Sequence, residues 1–426
     1  MPEGPAREQT RAVLQAVAVS VLGVLPAFFV GALAVQIRAD LDVGLGGLGL
    51  ATATLFAVSG LLARPGGRLV QRLGSRRGTA LAAALATSSL TGVALAPSQA
   101  WLMLALGLGG VGNAVAQPSA NLGISQLVTE QRLGLAFGIK QSSIPAATLM
   151  GGLSVPGIAL VLGWRWAMAA AAVLSLGVLG WAMTTRRDAA GRGPAAASGD
   201  PDKGLPRGGL VVLTLGGFLG AAASTSTGVF LVDSAVDAGL APGTAGLVFA
   251  ACSVLGLTSR VGFGWLADRH ADRSRYLFIA NLLTAGAVGY ALLSVGSVAL
   301  FVLGAVLAYA LGWAWTGLFH FAVIKDNRAA AASVTGFVQT GLSLGAASGP
   351  LVFGVVAQTT SYRTAWLMTA ALSLLAALTV RAGRRMVRRS RGLPVAALRR
   401  RRAAEPAGLP DLHSPSRTAL VPSPAS

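Results

Sequence analysis

The chain has 426 residues, of which 54% are hydrophobic and only 12% charged, with a mean hydropathy of +0.66. A soluble domain carries about 25% charged residues, so water is excluded as the solvent for most of this chain. The formal charge of +19 suggests nucleic acid, but its distribution excludes that partner: ten arginines against Glu405 and Asp411 lie between Gly383 and Ser426, and most of the rest lie in short segments between apolar runs.

In chain order, twelve apolar runs stand near 12–37, 45–63, 79–97, 99–124, 135–162, 166–185, 209–232, 242–263, 276–295, 298–322, 332–357 and 364–382. Each reaches or approaches the ~20 residues that a helix needs to cross a bilayer. Barrel strands would be ~10 residues of strict alternation. These runs are longer and do not alternate, so membrane-spanning helices are predicted. The first run exceeds the roughly 7–15 residues of a signal-peptide core and is predicted to be a retained helix. Cys252 is the single cysteine, so no intramolecular disulfide is expected.

Lysines and arginines fix the expected orientation. With the N-terminus inside, thirty of the 34 fall on inner segments. Arg38, Arg165 and Arg363 fall outside, and Lys140 lies within a run. The positive-inside rule then predicts an inner (plasma) membrane protein with both termini cytoplasmic. The stretch "RRDAAGRGPAAASGDPDKGLPRG" is rich in Gly, Pro, Ala and charge and reads as a flexible linker. The predicted organisation is a six-helix bundle over 1–185, a cytoplasmic linker over 186–208, a second six-helix bundle over 209–382, and a basic, disordered cytoplasmic tail over 383–426 that anchors topology.

The two bundles repeat. At an offset of 198 residues Gly138 meets Gly336, Gln141 meets Gln339, Gly151 meets Gly349, Arg165 meets Arg363 and Ala167 meets Ala365; at 197, Gly67 meets Gly264, Leu69 meets Leu266 and Arg72 meets Arg269. Parallel six-helix repeats place a substrate site at their interface.

Between runs two and three stands "GGRLVQRLGSRR", and between runs eight and nine "GWLADRHADR". Both resemble the G-x-L-a-D-r-x-G-r-[RK] loop motif of the major facilitator superfamily. Gly67, Leu69, Arg72, Gly74 and Arg76 match in the first copy, with Gln71 where the family has Asp; Gly264, Leu266, Ala267, Asp268, Arg269 and Arg273 match in the second. The resemblance implies an all-α membrane protein of twelve helices in two pseudo-repeated bundles. It also implies a gating latch built from Gly67, Arg72, Arg76, Gly264, Asp268 and Arg269. Gln71 carries no charge, so the first latch is expected to be the weaker. Drug antiporters of the superfamily carry Gly-Pro on the fifth helix, whereas here Gly349-Pro350 lies on run eleven. The segments "NLGIS" and "GLAFGIKQSSIP" resemble a cyanate-transporter-like subgroup that moves small anions and nitroimidazoles.

All fifteen acidic residues lie outside the hydrophobic centres of the runs, with Asp233 nearest, at the outer end of run seven. A buried carboxylate relay is therefore not expected. Lys140 is the full charge expected deepest within a run. Asn113, Gln117 and Asn121 follow at i, i+4 and i+8, so three amides share one helical face. Gln141 adjoins Lys140, and Gln339 and Trp315 stand in the second half. At the Lys140 position the second half has Val338, so the charge is one-sided. One cation among amides and an aromatic suits a small anion, with the ammonium as a point charge. His320, near the end of run ten, is expected to be an interfacial hydrogen-bonding group. No phosphate-binding G-x-x-x-x-G-K-[ST] sequence occurs.

The expectation is a secondary transporter, not an enzyme, moving a small organic or inorganic anion by alternating access. It is expected to need no cofactor and no metal and to act as a monomer whose partners are its small-molecule substrate and the lipid bilayer. A multidrug antiporter is the alternative, and a non-transporting membrane sensor or scaffold the second.

Overall fold

In lipid a backbone must bond its own N–H and C=O groups, and a long apolar run does so only as a helix. The computed structural model describes residues 5–129, 133–184, 207–269, 274–326 and 331–390, and among these every regular element is helical. The first span is α1 (Pro5–Ala32) continued, after Leu33, by α2 (Ala34–Leu41).

The next element, α3 (Leu45–Ala94), has 50 residues, about 75 Å at ~1.5 Å per residue, more than twice a ~30 Å hydrocarbon core. It is two spans, because Gly74 adopts φ 81° and ψ 167°, which glycine alone reaches without a Cβ clash. The arms on either side lie together: a Cβ on Gly109 would stand 2.7 Å from the Ser89 hydroxyl and 3.1 Å from Leu55. Gly109 belongs to α4 (Gln99–Leu127), whose N-cap Ser98 accepts from the Trp101 amide.

The fifth span is broken. It comprises α5 (Leu133–Lys140), a turn at Gln141 and Ser142, α6 (Ser143–Ser154), a wide π turn over Val155–Ala159, and α7 (Leu160–Leu162). The sixth is α8 (Trp164–Thr184). The second half holds α9 (Arg207–Asp237), α10 (Pro242–Arg269) and α11 (Arg275–Leu292). Its tenth span is also broken: α12 (Val298–Leu307), a π turn over Ala308–Gly312, a turn at Trp313 and Ala314, then α13 (Trp315–Asp326). The last two spans are α14 (Ala331–Thr359) and α15 (Tyr362–Ser390). With α3 counted as two, the described helices make the twelve expected spans in two six-span bundles. Both chain ends of the described region lie on one face, called the termini side below; the opposite face is the far side.

The expected tail starts later than the composition suggested. Helix α15 continues to Ser390 because Val387 is buried in the second-half core and Gly383 packs on Leu213. Residues 391–426 of the expected tail and 186–206 of the expected linker, with residue 185 before it, lie outside the described residues, and 207–208 of the expected linker open α9.

Large apolar side chains cover the outside: Leu61, Leu104, Val161, Trp166 and Val173 are exposed. Such a surface is costly in water and is solvated by acyl chains in a bilayer. Inside, one apolar core joins both halves and includes Leu33, Leu45, Phe230, Phe353 and Trp366. Towards the termini side the core divides. One cluster there, with Val19, Val70, Val115 and Ile124, belongs wholly to the first half; another, with Leu213, Ile279, Phe319 and Val338, belongs wholly to the second.

Small residues make the far-side closure tight. A Cβ on Gly31 would stand 2.7 Å from the Val229 Cα, and one on Gly152 would stand 2.7 Å from the Gly246 carbonyl oxygen. Backbones of opposite halves meet at that distance only where a side chain is missing. Near the termini side, Gly138, Gly262 and Gly336 have nothing within 4 Å of a would-be Cβ. One core thus closes the halves together on the far side, and towards the termini side the apolar clusters divide between them.

Candidate functional site

The two helix breaks face each other across the junction of the halves, and the sequence explains the first. Pro145 has no N–H, so the Gln141 carbonyl four residues earlier loses its helical donor. Arg260 of α10 takes it: Nη1 donates to the Gln141 carbonyl at 2.5 Å, and Nη2 donates to the Trp313 carbonyl, at the second break, at 3.2 Å. The guanidinium also lies 5.8 Å from the centre of the Trp313 ring, within cation–π range. One fork of N–H donors therefore holds an open carbonyl from each half.

Lys140 precedes the first break and turns into the protein. It is 6% exposed, and its Nζ donates to Gln117 Oε1 at 2.5 Å. Gln117 Nε2 donates to Asn113 Oδ1 at 3.3 Å, and Asn113 Nδ2 donates to Ser59 Oγ at 2.9 Å. The i, i+4 spacing on α4 thus does as expected for Asn113 and Gln117. Asn121, one turn closer to the termini side, stays outside this chain, and its Oδ1 is buried with no hydrogen-bond partner.

A second chain crosses the junction. Gln141 Nε2 lies 3.2 Å from His320 Nδ1, and His320 Nε2 lies 3.1 Å from Gln339 Oε1. His320 Nδ1 also lies 2.9 Å from the Thr316 carbonyl oxygen: an imidazole protonated at Nδ1 donates to Thr316, and one protonated at Nε2 donates to Gln339 and accepts from Gln141. Gln339 Nε2 continues to Ser343 Oγ at 3.4 Å. Gln141 and Gln339, predicted as repeat partners, are therefore bridged by one histidine.

Lys140 and Arg260 thus lie within one layer with amides and an imidazole around them. Among the described residues no carboxylate pairs with either; the ion pairs are Arg38–Asp233 and Arg165–Asp40, both at the far side. Two buried cations without a counter-charge carry a desolvation cost that amide oxygens only partly offset. A bound anion in contact with both would offset that cost. Among the described residues the layer holds no carboxylate, and His320 is its imidazole.

Sequence reasoning missed two residues. Arg260 was counted with the inner loop charges, yet it is 8% exposed within α10. His320, expected at the interface with water, instead joins the halves. Pro145 was the available signal for the first, since it announces an open carbonyl that needs a donor. Trp315 does not join the layer. It is fully buried in the second-half core, with Nε1 donating to Ser224 Oγ at 3.3 Å; the neighbouring Trp313 is the indole beside Arg260.

The loop motif is described in its first copy. Arg76 Nη1 donates to the Met183 carbonyl at 3.2 Å, tying α3 to α8, and Arg72 is exposed. Gly66, not Gly67, makes the close approach: its would-be Cβ stands 3.0 Å from the Ala114 carbonyl carbon, while Gly67 has nothing within 4 Å. In the second copy the side chains of Asp268 and Arg269, and the surroundings of Gly264, lie outside the described residues.

The far side carries its own cross-half contact. Asp233 of α9, 5% exposed, accepts from Arg38 Nη1 at 2.6 Å and from the Tyr362 hydroxyl.

Comparison with known proteins agrees with this architecture. The Major Facilitator Superfamily model matches residues 16–334 and 213–418. No curated protein matches the chain. A bacterial homologue of the human lysosomal transporter Spinster, inward-facing and unoccupied, aligns with a TM-score of 0.72 at 16% identity, covering 90% of this chain and 98% of that one. The same transporter in its occupied inward-facing form gives 0.71 at 16% identity, with the same coverage. A D-xylose–proton symporter gives 0.69 at 17% identity, covering 86% of this chain and 96% of that one. Twelve apolar spans in two bundles, with polar groups gathered where the bundles meet, and a family match over most of the sequence place this chain in the Major Facilitator Superfamily, as a multi-pass membrane transporter of small solutes rather than an enzyme.

Proposed function

We propose that the solute is a small organic or inorganic anion, moved by alternating access between the two halves. The carrying observation is the pair Lys140 and Arg260, 6% and 8% exposed, with no carboxylate partner among the described residues. Lys140, Gln141, Asn113, Gln117 and Gln339 form the binding layer with Arg260 and His320. The ammonium and guanidinium supply charge, and the amides fix orientation. Asn121 lines the approach from the termini side, and Trp315 supports the layer from the core. Residues 1–185 and 209–382 act as the two moving bodies, with 186–208 as the connecting linker.

The membrane is the inner (plasma) membrane, with both termini cytoplasmic, on the strength of the Lys/Arg asymmetry. The shared far-side core and the divided termini-side core support a state closed on the far side. Gly67, Arg72, Arg76, Gly264, Asp268 and Arg269 latch the cytoplasmic face. With no described carboxylate in the layer, energy comes from the anion's own gradient, from exchange, or from a proton carried on the substrate, with His320 the one imidazole in the layer that could carry a proton instead.

Counterflow into proteoliposomes tests this. Vesicles loaded with acetate, oxalate, phosphate or nitrate are expected to take up the matching labelled anion. A charge-assisted hydrogen bond contributes about 1.5–3 kcal/mol, so Lys140→Gln is expected to cut anion uptake by about 10–100-fold while the protein still inserts and purifies. Wild-type uptake of lipophilic cations instead of any anion, or normal uptake by Lys140→Gln, overturns the reading.

A further inference from the structure

We infer that Arg260 is a cross-half clamp on the termini side, and that the substrate's anionic group releases it by competing for the same guanidinium. The second clause rests on the anion reading; the clamp itself does not.

The geometry sets this apart from an ordinary buried cation. Nη1 and Nη2 are each committed to a backbone carbonyl, one from the fifth span and one from the tenth. Both acceptors sit at helix breaks; the Trp313 carbonyl also accepts from the Thr316 hydroxyl of its own span at 3.5 Å, whereas the Gln141 carbonyl has lost its helical donor to Pro145. The first is open because Pro145 has no N–H, which makes the vacancy a property of the sequence. These bonds stand at the boundary where the shared core ends. Towards the termini side of them the apolar clusters belong to separate halves, and Gly138, Gly262 and Gly336 meet nothing. At this level the Arg260–Gln141 bond and the Gln141–His320 contact are hydrogen bonds across the junction, beside the packing of Gly60 on Ser343 between the second and eleventh spans.

The chemistry makes the clamp releasable. A guanidinium presents a rigid fork whose spacing suits a carboxylate or phosphate, and charged acceptors form bonds about twice as strong as neutral ones. An anion entering the layer therefore displaces carbonyl oxygens from Arg260; the halves are unlinked by loss of the Gln141 bond, since Arg260 and Trp313 both belong to the second half. Binding is thereby coupled to separation through differential contacts in the two states, which a population shift requires.

Two variants test this without removing charge from the layer. Arg260→Lys keeps the charge but replaces the fork by a point donor that cannot hold two carbonyls. Pro145→Ala restores a backbone N–H that takes the Gln141 carbonyl from Arg260, leaving the guanidinium untouched. Nitroxide labels at Arg77→Cys and Leu277→Cys, both exposed near the termini side, are placed in a Cys252→Ser background. Distances are then measured on the full chain in nanodiscs by electron–electron double resonance. The expected result is a shift to longer distances in both variants without ligand. Wild type with acetate, oxalate or phosphate shows the same shift, and Pro145→Ala binds the active anion several-fold more tightly. Wild-type distances in both variants overturn the clamp. Lengthened distances in both variants, with wild-type distances unmoved by an anion that counterflow shows to be carried, leave the clamp and the anion reading standing and overturn the release; absence of counterflow with every anion overturns the anion reading by itself.

Discussion

Asp233→Asn removes one charge at almost constant volume and should loosen the far side. The Asp233 carboxylate crosses the junction: it accepts from Arg38 of the first half at 2.6 Å and from Tyr362 of the second. A buried hydrogen bond to a charged group contributes about 1.5–3 kcal/mol. Arg38 keeps 31% exposure, so solvent screening lowers its share, and an asparagine oxygen still accepts one weaker bond. The far-side-closed state is therefore expected to lose about 1–2 kcal/mol. Because this contact exists only when the far side is closed, the loss appears as a population shift of about 5–30-fold. Labels at Leu95→Cys and Val295→Cys, exposed on the far side of each half, should show a new longer-distance component by double resonance. Anion affinity in the far-side-closed state should not change. An unaltered distance distribution would refute the view that this triad holds the far side shut.

Two further substitutions separate packing from function. Gly66→Val forces a side chain against Ala114 and should destabilise by about 1–3 kcal/mol, whereas Gly67→Val enters open space and should change stability by less than about 0.5 kcal/mol; thermal unfolding followed by size-exclusion chromatography reads the difference. Trp315→Phe removes the indole donor to Ser224, should cost about 1 kcal/mol of stability, and should leave anion uptake as in wild type, since Trp315 lies in the core and Trp313 lies beside Arg260.

The spans were legible because a hydrocarbon core imposes a length and forbids unpaired backbone; composition alone carries that signal. The second and third spans read as two runs although the helix is continuous in hydrogen bonding apart from Gly74, since the charges of "RLGSRR" divide them. The stripe of Asn113 and Gln117 and the inward turn of Lys140 followed from spacing and from the cost of lipid exposure. Arg260 escaped because it lies three residues from the end of its apolar window, Pro242–Phe263, where a charge serves equally as a topology signal. Only the tertiary meeting of α10 with two broken helices gives it a partner. Trp313 and Trp315 are two residues apart on a broken segment, and which one faces the junction depends on the π turn before them. The choice between Gly66 and Gly67 is a matter of one helical step, finer than a motif resolves.

The central claim is that this layer selects for negative charge. Isothermal titration of purified protein with a small carboxylate and its neutral amide of matching shape tests it most directly. Wild type should bind the carboxylate at least about tenfold more tightly, a difference of about 1.4 kcal/mol, and Lys140→Gln should reduce that preference. Equal affinities for acid and amide in wild type, or a preference that survives Lys140→Gln undiminished, would contradict the account.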